Sequence, residues 1–382
     1  MLGKQSTGLN KTLDRFFDYV YTVGKMQFLS IIILILLPGG WVTFWSQRCY
    51  LVLPVRLALA VTLSPIVLAI EFYILRLSGL SFRHVVPMLV IFNSGSILLI
   101  IRNFRLFPPK INWKLVSFGG IIYAFLAGSV AIPWIYEPNF RRFSWHSLFH
   151  TDVCYSFARG ALIPEEPELA GVSLAYPWIG HIYWSILAFS ANLSPTVISL
   201  ITNLVLMGAI GILYFALARE LGASDLVALI SLVVVALGTN VPGLIGWSII
   251  QPNDNGVWWA ILGDLRTAPF IQKFSAFEAM TLGLSLYTGL VFMSVISLRY
   301  LSRFELITVP MFVVAITAVY PNIFPIAAIV LVGLIATLVI KNFDLSQSID
   351  RKTLVKLLLV SGITLIVCAG ILKVYAIDTT ES

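Results

Sequence analysis

Residues 51–75 read LVLPVRLALAVTLSPIVLAIEFYIL, an apolar stretch in which Arg56 near the start and Glu71 near the end are the only charges. A helix needs roughly 20 apolar residues to cross a bilayer, so this segment alone is long enough. Similar runs recur along the chain: Phe28–Trp45, then about 84–101, 115–136, 178–191, 196–218, 225–239, 277–298, 306–320, 323–340 and 354–375. Several are interrupted by Pro or Gly, which membrane helices tolerate. No repeating strand-like alternation is present, which disfavours an outer-membrane barrel. The expectation is an all-α, polytopic helical membrane protein with about ten or eleven transmembrane helices. The run at 178–191 is short for a crossing and reads equally as a re-entrant or juxtamembrane helix.

The composition of the 382-residue chain agrees. It is 59% hydrophobic and only 11% charged, with a mean hydropathy of +0.93. Soluble domains carry about 25% charge. A cytosolic enzyme, a nucleic-acid-binding domain and a disordered scaffold are thereby excluded as classes. The three cysteines, Cys49, Cys154 and Cys368, are far apart and form neither a metal spacing nor a disulfide framework. The first apolar run is not followed by a small-residue cleavage site, so it reads as a retained helix rather than a signal peptide.

The net charge of +7 serves as an orientation signal, because Lys and Arg collect on the cytoplasmic side. Arg102, Arg105, Lys110 and Lys114 mark one basic connector, Arg299 and Arg303 another, and Lys341, Arg351, Lys352 and Lys356 a third. These place 137–177 and 240–276 outside. That parity fails if 178–191 and 196–218 both cross. The organisation read from the chain is a juxtamembrane segment 1–26 and transmembrane helices over 27–136. A first large external loop 137–177 precedes helices over 178–239. A second external loop 240–276 precedes the last helices and a short tail, 277–382.

The two loops hold much of the scarce acid. Of 18 acidic residues, five lie in 137–168 (Glu137, Asp152, Glu165, Glu166, Glu168) and three in 254–278 (Asp254, Asp264, Glu278). Their aromatic content, including Trp145, Tyr155, Trp258 and Trp259, marks them as folded segments, since disordered ones lack aromatics. In the first loop His146 and His150 share a helix face, and Asp152 points elsewhere. A carboxylate at a membrane boundary suits a general base toward an acceptor hydroxyl, or a ligand for a divalent cation held against phosphate. The plainer alternative makes Thr151-Asp152 a helix N-cap. Pro164, Pro167 and Gly171 forbid a long helix and set a rigid turn. There Glu165, Glu166 and Glu168 read as a solvated turn, and Tyr176, Trp178 and Trp184 as an interfacial aromatic belt. In the second loop Arg266 and Lys273 are the strong cations. They suit phosphate oxygens, or else a pair with Asp264 and headgroup contact.

The stretch His150-Thr-Asp152, Gly160, Pro164-Glu-Glu-Pro167, Ala170-Gly171, Tyr176-Pro177 resembles the first large external loop of the GT-C superfamily of integral-membrane glycosyltransferases. Leu37-Pro38-Gly39 and Arg56 look like the amino-terminal helices of its uncharacterised bacterial and archaeal members. The resemblance covers about 1–220 in architecture and about 150–181 in motif. It implies sugar transfer from a polyprenyl-phosphate-linked donor to a glycan, lipid or protein acceptor outside the cytoplasm, in the plasma (inner) membrane. Asp152 would be the base or a Mg or Mn ligand, with Glu137 as second acid, since the family often carries adjacent acids here. His150, Tyr176 and His181 would contact substrate, and Arg266 or Lys273 the leaving phosphate. No nucleic acid is expected as a partner. The other classes carried are a transporter or flippase for a lipid-linked sugar and a non-catalytic membrane subunit. Transport calls for polar groups inside the membrane, for which Glu71, Arg76, Asn93 and Asn203 are the candidates.

Overall fold

The computed structural model describes residues 27–45, 51–106, 113–136, 145–174, 176–237, 280–300, 303–343 and 351–376. The chain is an all-α polytopic protein, and each apolar stretch named above is mainly helical where described, with 84–101 divided between two helices. The helices are α1 (Gln27–Leu36), α2 (Pro38–Trp45), α3 (Leu53–Leu77), α4 (Phe82–Ser94), α5 (Ser96–Leu106) and α6 (Trp113–Tyr136). Next come α7 (Trp145–Arg159), the short strands β1 (Glu165–Glu166) and β2 (Leu169–Ser173), α8 (Ile179–Ala191), α9 (Pro195–Glu220) and α10 (Asp225–Leu237). The last four are α11 (Met280–Ser297), α12 (Arg303–Val319), α13 (Phe324–Phe343) and α14 (Arg351–Ala376). Among the described residues six helices are long and apolar enough to cross a membrane, and the bent α1–α2 pair makes a seventh. Large side chains such as Ile91, Leu98, Ile329 and Ile366 are 70–74% exposed. An outward face of this kind matches acyl chains, not water.

The centre of the bundle is α3, which packs on α2, α4, α8, α9 and α11. Its start tolerates Pro54 because the first-turn N–H has no helical partner, and Val52 precedes it in extended geometry. The α1–α2 pair bends by 40° because Pro38 has no N–H to continue the helix. Within the bend Gly40 N–H bonds the Leu37 carbonyl at 2.9 Å, and neighbouring helices add further bonds. Ser96 Oγ donates to the Leu37 carbonyl at 2.9 Å, and Gly39 N–H donates to Ser64 Oγ at 3.1 Å. At Gly39 the backbones nearly touch, since a Cβ placed there would lie 2.0 Å from the Ala60 carbonyl oxygen. Close approach of small residues is how helices associate where lipid is the solvent.

Tertiary contacts sort the helix ends into two sets. Arg56 donates to Asn103 Oδ1 and lies over the Phe44 ring, which gathers the end of α2, the start of α3 and the end of α5. Arg299 bonds Glu220 at 2.8 Å, joining the ends of α9 and α11. These connectors are the basic ones. At the opposite end Arg76 donates to the Gly160 carbonyl at 2.6 Å, and Tyr375 OH donates to the Ala318 carbonyl. The end of α3, the 160–178 segment, and the junctions at α12 and α14 therefore share this loop end.

The parity conflict is resolved by α8. Trp178, just before it, donates from Nε1 to Tyr73 OH at 3.0 Å and packs edge-on against Tyr375. Near its other terminus Phe189 packs on Phe82, the first residue of α4, at 5.2 Å. Both termini thus touch loop-end residues, so α8 lies across this end and only α9 crosses. The stop between them is local: Asn192 adopts φ 54°, with Leu193 N–H bonded to Ala188 O and Asn192 N–H to Phe189 O. That is the left-handed helix terminus at which Asn substitutes for Gly. Ser194 then caps α9 by accepting from Val197 N–H at 3.4 Å. Reporters fused after residue 110 and after Gly160 are expected on opposite sides of the membrane. A shared side would overturn this topology.

Candidate active site at the loop end

The candidate site grows out of the way α7 stops. Gly160 has φ +113°; its N–H bonds Phe157 O, and Ala161 N–H reaches back to Ser156 O, both at 3.0 Å. This double closure needs a residue free to be left-handed, hence the glycine. The chain then runs through Leu162, whose carbonyl accepts from Tyr73 OH at 2.9 Å, and forms the β1–β2 hairpin. Glu165 pairs with Ser173 and Glu166 with Leu169, with a bulge between. The rigid turn expected from Pro164, Pro167 and Gly171 is this hairpin, closed by Leu174 N–H to Pro164 O at 2.9 Å.

Helix α7 has two faces with different chemistry. Its inner face carries His150, Val153, Cys154 and Phe157, all fully buried. His150 Nδ1 and His181 Nε2 are 2.7 Å apart, with the rings 4.9 Å between centroids. Tyr176 packs at 5.7 Å from His150 and 5.9 Å from His181. Trp184 closes on His181 at 5.4 Å and is anchored to α9 through Nε1–H to Thr202 Oγ1. Ser185 Oγ donates to the Cys154 carbonyl at 2.7 Å. Burial pushes the Cys154 thiol well above its ordinary range, so it acts here as a small packing group.

The outer face carries Asp152 and Arg159, paired at 3.2 Å with both side chains about half exposed or more. Asp152, Ser156 and Arg159 line an open depression together with Ala161, Ile163, Glu165, Glu166, Pro167 and Glu168. Desolvation and then the neighbouring charge of Glu168 raise Glu166 above the usual carboxylate range. Five ionisable side chains thus converge on one open hollow at the loop end of the bundle.

The sequence expectations divide accordingly. His150, Tyr176 and His181 do come together, but as a packed joint between α7 and α8. Asp152 is on the other side of α7 from that joint. The N-cap reading of Thr151-Asp152 is overturned: both lie inside α7, which begins at Trp145. Glu137, Arg266 and Lys273 fall outside the described residues. Arg159, Ser156 and the three glutamates line the hollow although the sequence alone does not mark them as site residues. The available signal was the helical spacing of Asp152, Ser156 and Arg159, four and three residues apart and so on one face. Among the described residues no three of His, Cys, Asp and Glu converge as a metal cage. A cation at Asp152 would draw further ligands from elsewhere in the chain.

The His150–His181 contact is expected to matter for stability. Replacing either ring with leucine removes a buried hydrogen bond and costs about 1–3 kcal/mol. The double replacement is expected to cost less than the sum of the singles, read as a double-mutant cycle of thermal unfolding in detergent. Strict additivity would show that the rings do not bond.

The chain matches no family model, no curated protein and no solved structure.

Proposed function

We propose that the chain is an integral-membrane glycosyltransferase of the GT-C kind, acting at the loop end on a polyprenyl-phosphate-linked sugar. The observation that carries this is the position of Asp152: a carboxylate on an open, charged hollow at the water side of a bundle whose sides face lipid. A lipid-linked donor requires that geometry, with its tail among apolar helices and its sugar presented at one face. In the reaction an acceptor hydroxyl oxygen attacks the anomeric carbon as Asp152 takes its proton. The bond from that carbon to the phosphate oxygen breaks, and its electron pair leaves with the lipid phosphate. Arg159 holds Asp152 Oδ1, which fixes the carboxylate plane, while Arg266 or Lys273 meets the charge developing on the phosphate. Extraction of the protein purified in mild detergent is expected to release polyprenyl lipid. Membranes containing it are expected to move labelled sugar from polyprenyl phosphate to an acceptor. Absence of both the lipid and the transfer sinks this function.

A transporter or flippase for a lipid-linked sugar is the second reading. It is favoured by the polar contact of Glu71 with Asn93 between α3 and α4.

A further inference from the structure

Glu71 on α3 and Asn93 on α4 meet inside the membrane-crossing part of the bundle. Asn93 Nδ2 donates to Glu71 Oε2 at 2.7 Å and to the Leu89 carbonyl at 2.9 Å. Both amide hydrogens are therefore used. The amide oxygen, Asn93 Oδ1, is buried with no hydrogen-bond partner, on a side chain that is fully buried. An acceptor left unmet in this way costs about 1–3 kcal/mol. An ionised carboxylate cannot relieve it, because both groups only accept. A carboxylic acid can, because it brings one O–H.

The depth of the pair makes this chemically distinctive. Glu71 lies six residues before the end of α3, about 9 Å along the axis, and its side chain leans toward the helix N-terminus and so deeper. Asn93 lies eleven residues beyond the start of α4, about 16 Å in from the same end. The exposed side chains flanking them are Ile70, Ile74, Ile91 and Phe92, so the carboxyl borders acyl chains. Among the described residues no cation is paired with Glu71. The ionisable groups on the two helices nearest it are occupied or distant. Tyr73 bonds Leu162 and Trp178, and Arg76 bonds the Leu80 and Gly160 carbonyls. Arg83 and His84 sit in the first turn of α4, with His84 bonded to Ser81. From α7 and α8, Cys154 bonds the His181 carbonyl and Tyr183 OH has no partner, so neither is bonded to Glu71. A hard metal cation takes about six oxygens, and this pair offers one carboxyl and one amide oxygen. A proton is the cation it fits.

We propose that Glu71 and Asn93 form a proton-binding site within the membrane, open to the lipid side between α3 and α4. Glu71 takes a proton from a hydronium ion, which leaves as water. The new carboxyl O–H gives Asn93 Oδ1 a donor, while Asn93 Nδ2 keeps donating to Glu71 Oε2 and the Leu89 carbonyl. This goes beyond sugar transfer at the loop end and does not depend on it.

The test uses the full-length wild-type protein and a lipid-soluble probe, dicyclohexylcarbodiimide. A carboxylic acid adds its O–H across the carbodiimide C=N bond, and the adduct rearranges to a stable N-acylurea with nothing lost. Mass spectrometry of the digested protein is expected to find the adduct on Glu71. Its yield is expected to fall by about tenfold per pH unit once the acid ionises. Glu71→Gln is expected to abolish the adduct, and Asn93→Leu to move the pH at which labelling falls. An unlabelled Glu71, a yield that does not change with pH, or protection by sodium at constant ionic strength would each overturn the proposal. The wild-type profile alone decides it if the variants do not fold.

Discussion

Gly39→Leu is expected to destabilise the protein by about 3–5 kcal/mol, in the range of severe core substitutions. The reason is geometric. A Cβ at this position would lie 2.0 Å from the Ala60 carbonyl oxygen and 2.9 Å from its Cα, and these are backbone atoms of the central helix, not the ends of flexible side chains. The helices would have to separate, which would also lengthen the Gly39 N–H bond to Ser64 and withdraw Ser96 from the Leu37 carbonyl. The Gly39 N–H would then lose its acceptor inside the bilayer, where an unmet backbone group costs several kcal/mol, while the Leu37 carbonyl would keep only its bond from Gly40 N–H. The measurement is thermal unfolding in detergent, with Gly333→Ala as control, since a Cβ at Gly333 meets nothing within 4 Å. Equal stability of the Gly39 variant and wild type would show that α2 and α3 do not approach as described.

Asp152→Asn is expected to lower sugar transfer by about 10²–10⁴-fold, the usual worth of a positioned acid or base, with folding unchanged. The amide keeps the size of the side chain and can still accept from Arg159, but it cannot take a proton. Little stability is at stake, because the pair with Arg159 is exposed on both sides, and such pairs contribute about 0–1 kcal/mol. Transfer would be measured in membranes supplied with polyprenyl-phosphate-linked sugar, alongside the unfolding temperature of the purified variant. Retained transfer removes Asp152 as the base. Loss of transfer together with a large drop in unfolding temperature would instead point to a structural role.

The part of the site legible beforehand is the part that depends on local chain chemistry. The turn between Pro164 and Gly171 and the divergence of His150 from Asp152 both follow from residue type and helical period. Residues paired across the fold were not legible in the same way. Glu165, Glu166 and Glu168 look like any solvated turn until the hairpin folds back beside α7, and only then do they share a hollow with Asp152. His150 and His181 look like substrate contacts on an external loop until α8 is laid against α7. Arg56 and Glu71 could be noted as charges in an apolar run, but neither Asn103 nor Asn93 could be assigned to them.

By itself the amino-acid sequence determined that this is a helical membrane protein, where its helices fall, and which connectors are basic. Those properties are sums over short windows: enough apolar side chains in succession make water a poor solvent for that window, whatever lies elsewhere. Tertiary structure decided that α8 lies across the loop end while the equally apolar α9 crosses. It also decided that Asp152 and the histidines belong to different faces, and that Glu71 meets Asn93. Composition cannot separate such cases, because an apolar helix can bury itself against lipid or against other helices at similar free energy. Only the contacts made by Trp178, Phe189 and Asn93 with residues distant in the chain distinguish the two.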